Sequence, residues 1–167
     1  LETPILIPLF LKIVILMGVS VWLTLAVINN IMDPATNISM IGQMMRMDPI
    51  ENAPHLGAKL RRRAVTSPHA HKRSFYIATI IQIIAAVLMW RGAVMLIIAA
   101  WGPENAQALA HATAAVNLGL GVLVVLWLWF LCGGLWFGYW LRMPQVQQTH
   151  MTMLFTTLLM VLMVNVG

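Results

Sequence analysis

Charge is what this chain has least of. Only 9% of its 167 residues are Asp, Glu, Lys or Arg, while 60% are hydrophobic; soluble domains carry about 25% charged residues. That balance excludes an ordinary soluble domain, and it excludes disorder, which needs low hydrophobicity and high net charge. The one cysteine, Cys132, rules out an internal disulfide framework; it lies in an apolar run and reads as a small buried hydrophobe. No G-x-S-x-G, phosphate-binding glycine loop, paired carboxylates or C-x-x-C-H occurs, and no acidic residue interrupts the apolar runs. No reaction is legible without such groups, so no enzyme and no carboxylate-driven proton coupling is expected.

What the chain does have is long oily stretches. A bilayer core of about 30 Å is crossed by roughly 20 helical residues, and the pattern predicts an all-α bundle of four membrane spans in a single domain. The spans are expected at about 5–30, 68–101, 106–138 and 150–167, with a basic loop at about 31–67 that holds short interfacial helices. The first run lacks an A-x-A-like cleavage site and reads as a retained span, with Lys12 snorkelling. Thr66-Ser67-Pro68 is a helix-start signal, a hydroxyl N-cap followed by proline. Gly102-Pro103-Glu104-Asn105 is a turn short enough to force the third span antiparallel to the second. Gly133-Gly134, Gly138 and Pro144 end the third span, and the fourth, counted from His150, is about 25 Å long and barely sufficient.

The charges that remain are distributed unevenly. Seven of the ten Lys and Arg residues fall in the polar stretch that follows Asp33-Pro34, five in the first loop and Lys72 and Arg73 in the first turns of the second span; Arg142 lies in the third loop, and the turn at Glu104 has none. Both basic loops are therefore expected in the cytoplasm, with the two termini periplasmic. This also accounts for the net charge of +5 without nucleic acid. Lys59, Arg61, Arg62 and Arg63 read as contacts to anionic lipid headgroups. Trp136, Tyr139, Trp140 and Trp101 are expected in the interfacial belts.

A few polar side chains stand within or beside the spans. Arg91 is ten positions inside Trp101, about 15 Å from that helix end, and a charge there needs a partner. Pairing about Glu104 brings it level with Asn117, so an intramembrane Arg91–Asn117 pair, contact with a neighbouring subunit, or snorkelling to the headgroups are the alternatives. Among the histidines, His69, His71 and His150 fall at the loop side and His111 at the other; two at matching depth could clamp a haem. His69 and His71, however, point to different helix faces, and interfacial histidines are the plainer reading. Met40, Met44, Met45 and Met47 could offer a soft copper(I) site. Met40, Ile41, Met44 and Met45 recur at helical spacing, however, and with Gly42, Gln43 and Arg46 opposite they also fit an amphipathic helix lying on the membrane. No cofactor is expected. Gly119 and Gly121, with Ala112, Ala114 and Ala115, make a small-residue face for close helix contact.

Several segments together resemble a known family. Ile28-Asn29-Asn30 with Asp33, Met47-Asp48, Ala64-Val65-Thr66-Ser67-Pro68, Trp90-Arg91-Gly92-Ala93 and Gly133-Gly134-Leu135-Trp136-Phe137 are similar in order and spacing to the DUF2165 family of small integral membrane proteins. The resemblance implies four transmembrane helices in the bacterial inner membrane and no assigned activity. The family pattern has a glutamate where this chain has Leu135, so it implies no carboxylate role there. On the expected topology, Asn29, Asn30, Asp33, Thr66, Ser67, Gly133, Gly134 and Trp136 all fall at the loop-side ends of three spans. They are expected to form a polar junction in which Asp33 or an asparagine caps the helix starting at Pro68.

Function is then a choice among three classes. The foremost is a non-catalytic accessory subunit packing against other integral membrane subunits of a larger, respiratory or photosynthetic, complex. A small transporter would need a polar path, for which Arg91, Asn117 and Gln82 are a thin supply. A haem- or copper-binding redox subunit would rest on the histidines and methionines.

Overall fold

A computed structural model describes residues 3–51, 55, 57–102 and 106–166, and all regular structure among them is helical. Helix α1 runs Thr3–Met32, α2 Pro34–Arg46, α3 is a single turn at Asp48–Glu51, α4 runs Pro68–Trp101, α5 Ala106–Trp136 and α6 Pro144–Asn165. Short 3-10 turns occupy Leu60–Arg63 and Tyr139–Leu141.

Among the described residues, three helices are long and apolar enough to cross a membrane: α1 over Pro8–Met32, α4 and α5. Each is apolar all round, and only 28–33% of its most apolar window is buried inside the molecule. Large side chains such as Val87, Ile98 and Val125 therefore face outward, an arrangement water would oppose and lipid accepts. Three hydroxyl groups inside the spans are satisfied locally. Ser20 donates to the Leu16 carbonyl, Thr24 to Ser20 and Thr79 to Phe75, each one turn back.

The register between α4 and α5 is set by missing side chains. A Cβ on Gly92 would stand 2.9 Å from the Val116 Cα, and one on Gly119 would stand 3.1 Å from the Met89 backbone nitrogen. The helices thus pack backbone to backbone and antiparallel, with Gly92 level with Val116 and Met89 level with Gly119. Arg91 is level with Asn117 in the same register. Helix α1 is antiparallel to α4 as well, through the Trp90 indole donating to Thr24 Oγ1 at 2.9 Å and an amide contact between Asn30 and Gln82. Helix α6 is antiparallel to α5, through Trp127 Nε1 donating to Thr157 Oγ1 at 3.1 Å. One core joins all four, from Leu16 and Leu23 of α1 through Met89 and Leu120 to Met160 and Val164 of α6.

Helix α6 differs from the expected fourth span. It starts at Pro144, six residues before His150, and its 22 residues extend about 33 Å. Pro144 opens this helix, as Pro68 opens α4, because proline lacks the N–H that a first-turn residue leaves unused. The described end of α6 is level with Asn117, eleven residues or about 16 Å into α5. The turn expected at Gly102–Asn105 lies, beyond Gly102, outside the described residues.

Two smaller expectations are corrected. Cys132 is exposed, on the outward side of α5. Tyr139 is buried rather than interfacial, whereas Trp101, Trp136 and Trp140 are exposed.

Candidate functional site

The loop is folded under the bundle by backbone bonds. Asp33 ends α1 and caps α2: its carboxylate accepts from the Thr36 hydroxyl at 2.6 Å and the Thr36 N–H at 3.2 Å. These bonds, the hydroxyl first, hold its pKa below the usual carboxylate value. Helix α2 ends at Met47, a buried side chain whose backbone lies in the left-handed region at φ 61°. Val65 N–H then donates to the Met45 carbonyl at 2.8 Å, and a His71 ring nitrogen, Nε2, lies 2.8 Å from the Val65 carbonyl. The imidazole rests on Gly42, where a Cβ would be only 3.0 Å from Nδ1. Gly42 is therefore on the buried face of α2, not the outward face that its sequence neighbours suggest. The helix is pressed against α4, because a glycine lets the His71 ring approach closely.

Above α2 the ends of the spans leave a partly open cavity of about 290 Å³. One wall is amide. Asn37 Nδ2 donates to Asn30 Oδ1 at 2.7 Å, and Asn30 Nδ2 donates to Gln82 Oε1, which links α2, α1 and α4 in a single chain. Gln82 is fourteen residues into α4, so the cavity reaches about 21 Å from the start of that helix. Another wall is methionine, from Met40, Met44, Met45 and Met143. The third is aromatic. His150 of α6 stands 5.0 Å from the Phe130 ring and 6.3 Å from both Trp127 and Tyr139, centre to centre. Its Nδ1 is sealed from solvent with no hydrogen-bond partner among the described residues, and so is the Tyr139 hydroxyl. Burial pushes the Tyr139 pKa up.

Glycine makes this wall. A Cβ on Gly134 would overlap the Tyr139 ring, whereas one on Gly133 would meet nothing within 4 Å. The turn that brings Tyr139 back onto Gly134 uses Gly138 in the left-handed region, φ 66°.

Of the expected junction, Asn30, Gly133 and Gly134 line this one cavity. Trp136 is exposed, but it joins the loop: Arg63 lies 4.5 Å over its ring, and the Arg63 guanidinium donates to its carbonyl at 3.5 Å. Asn29, Thr66 and Ser67 are exposed. The expected cap is not formed, since Asp33 caps α2 and Ser67 makes no side-chain cap bond to α4. Two residues separate Asp33 from Thr36 N–H, so the local partner wins over a distant helix. Lys59, Arg61 and Arg62 are exposed on the loop. His69 is exposed and His71 buried, so the two diverge as their spacing requires.

Arg91 and Asn117 are level but do not meet. Arg91 is exposed, while the Asn117 and Asn165 side chains exchange two hydrogen bonds of 2.9 Å. Asn165 also donates to the Val161 carbonyl, and Lys12 Nζ donates to the Val166 carbonyl at 2.8 Å. Three polar side chains thereby gather at the end of α6, where a helix leaves carbonyls without internal partners.

Sequence reasoning missed Asn37 and Asn165. Each is a lone polar residue whose side-chain partner is more than one helical turn away, so no local spacing marks it. No acidic or cationic side chain lines the cavity among the described residues, and no group of three His, Cys, Asp or Glu gathers there to hold a metal. The site can hydrogen-bond and stack. No curated protein and no solved structure matches the chain. A family model described as predicted small integral membrane protein, DUF2165, matches residues 9–167, and a match over nearly the whole of this apolar helical chain means that it belongs to that family.

Proposed function

We propose that this protein is a non-catalytic accessory subunit of the bacterial inner membrane that packs against the spans of a larger complex. Arg91 carries the reading. It is exposed within an apolar span, with Leu88, Met89 and Trp90 before it and Gly92, Ala93 and Val94 after it, and it has no partner among the described residues. Asn117, the one amide at its level in α5, is engaged with Asn165. A guanidinium in hydrocarbon costs about 2.5–3.5 kcal/mol on insertion scales, and an acidic or carbonyl group of another chain would offset that cost. Near it the α4–α5 groove between Ile84, Asn117 and Gly121 is open, and a Cβ on Gly121 would meet nothing within 4 Å. Small residues at an open face suit close approach of another helix.

In this reading α6 makes the fourth crossing, the basic loop faces the cytoplasm, and Lys59, Arg61 and Arg62 meet anionic headgroups. Mild detergent extraction and native separation test the core of it. The wild-type chain is expected to co-migrate with a large assembly, and Arg91→Leu to run alone with an undiminished melting temperature. A small monodisperse oligomer for the wild type would favour transport instead. Unchanged co-migration of Arg91→Leu would mean that the side chain snorkels.

A further inference from the structure

We propose that the cavity between α2, α4, α5 and α6 is a binding site for an uncharged amphiphile drawn from the membrane. Its polar head would be held on the Asn37–Asn30–Gln82 chain and its apolar body against Trp129, Phe130 and His150. The volume, about 290 Å³, is just below the usual range of small-molecule sites, about 300 to 1,000 Å³. The wall sets the class of ligand. No Asp, Glu, Lys or Arg lines the cavity among the described residues, so a charged head would lose its water without gaining a counter-charge.

The amides set the head. Within the chain, Asn30 both donates and accepts, which leaves Asn37 Oδ1 at one end and Gln82 Nε2 at the other without a partner among the described residues. One end accepts and the other donates. Turning all three amides over exchanges the two ends but preserves one of each. A head that both donates and accepts, such as an alcohol, an amide or a hydroquinone, is matched in either state. Aromatic faces and flexible thioethers then adapt to a flat ring or an acyl chain.

Gly133 supplies the room. It lies on the α5 stripe between Trp129 and Phe137, one turn from each, and all three line the cavity. A Cβ at Gly133 would touch nothing within 4 Å, and the residue is not in the left-handed region, so a larger side chain enters the space without disturbing the helix.

The full chain in nanodiscs of phosphatidylethanolamine and phosphatidylglycerol is titrated with a decyl-substituted benzohydroquinone and, separately, with dioctanoylglycerol. Native mass spectrometry counts the molecules retained. At least one probe is expected to saturate at one per chain, and the arm that saturates identifies a ring-headed or a glyceride source. Gly133→Leu is expected to weaken that binding at least tenfold with no fall in melting temperature. Gln82→Leu, which leaves the cavity open, is expected to weaken it about tenfold through loss of head contacts. Failure of both probes to saturate, or wild-type affinity in both variants, would overturn the site.

Discussion

Gly133 and Gly134 are adjacent, yet their surroundings demand different things of them. Gly134→Ala drives a methyl group into the Tyr139 ring and is expected to cost about 1–3 kcal/mol by overpacking. Gly133→Ala meets no atom and is expected to be neutral or to stabilise by up to about 1 kcal/mol, since glycine is a poor helix former. Thermal melting in detergent distinguishes the two, and equal melting temperatures would refute the packing argument. Asp33 shows the same dependence on neighbours in its titration. Its pKa is depressed by Thr36, so the cap is fully present above the ordinary carboxylate range, near pH 4, and is lost as pH falls through the lower folded value. The protection of the Thr36 amide, its exchange relative to the intrinsic rate at each pH, is expected to fall on acidification through that window. In Asp33→Asn, which cannot titrate, the protection should show no such step. The sequence marks Asp33-Pro34 as a boundary, but which helix the carboxylate serves is decided by the three-residue reach to Thr36.

Between helices, the absence of a side chain is as informative as its presence. A small-residue face on α5 is legible in the sequence, but the fold divides it: Gly119, Ala112 and Ala115 are buried, while Ala114 and Gly121 face outward. The partner in α4 is Gly92, which no composition rule singles out, because only the antiparallel register brings it onto Val116. Gly92→Ala presses a methyl group against the Val116 backbone, which cannot swing away, and about 2 kcal/mol of destabilisation is expected. Gly121→Ala is expected to leave the melting temperature of the isolated chain unchanged, because it faces an open groove. If the two variants melt alike, the glycine contact does not set the α4–α5 spacing. Helix α6 illustrates a second lesson. Its early start at Pro144 is hidden by the polar run Gln145, Gln147, Gln148 and Thr149, which hydropathy alone assigns to a loop.

For the whole molecule, the distribution of Lys and Arg makes a directional prediction. Single cysteines are introduced as K59C, R142C and W101C in the Cys132→Ser background, since Cys132 is exposed. A membrane-impermeant maleimide is expected to label the first two only in inside-out vesicles and the third only in right-side-out vesicles. Labelling of all three from one side would contradict the crossings of α4 and α5. The polar groups at the end of α6 belong to this scale too, because Lys12, Asn117 and Asn165 come from three helices that meet only in the assembled bundle.

The sequence alone determined the solvent, the helical class and the antiparallel pairing of α4 with α5. Those follow from composition, run length and the short connection, which act along the chain or between consecutive segments. It also marked Asn30, Gly133 and Gly134 for one end of the molecule. Only the tertiary structure decided that they share a cavity, that Asn37 and Gln82 complete an amide chain with Asn30, and that Asn117 binds Asn165 while Arg91 faces outward. All but the Asn37–Asn30 bond are contacts between residues dozens of positions apart, fixed by the rotation of each helix about its own axis. In helices apolar on every side, no polar stripe records that rotation in advance.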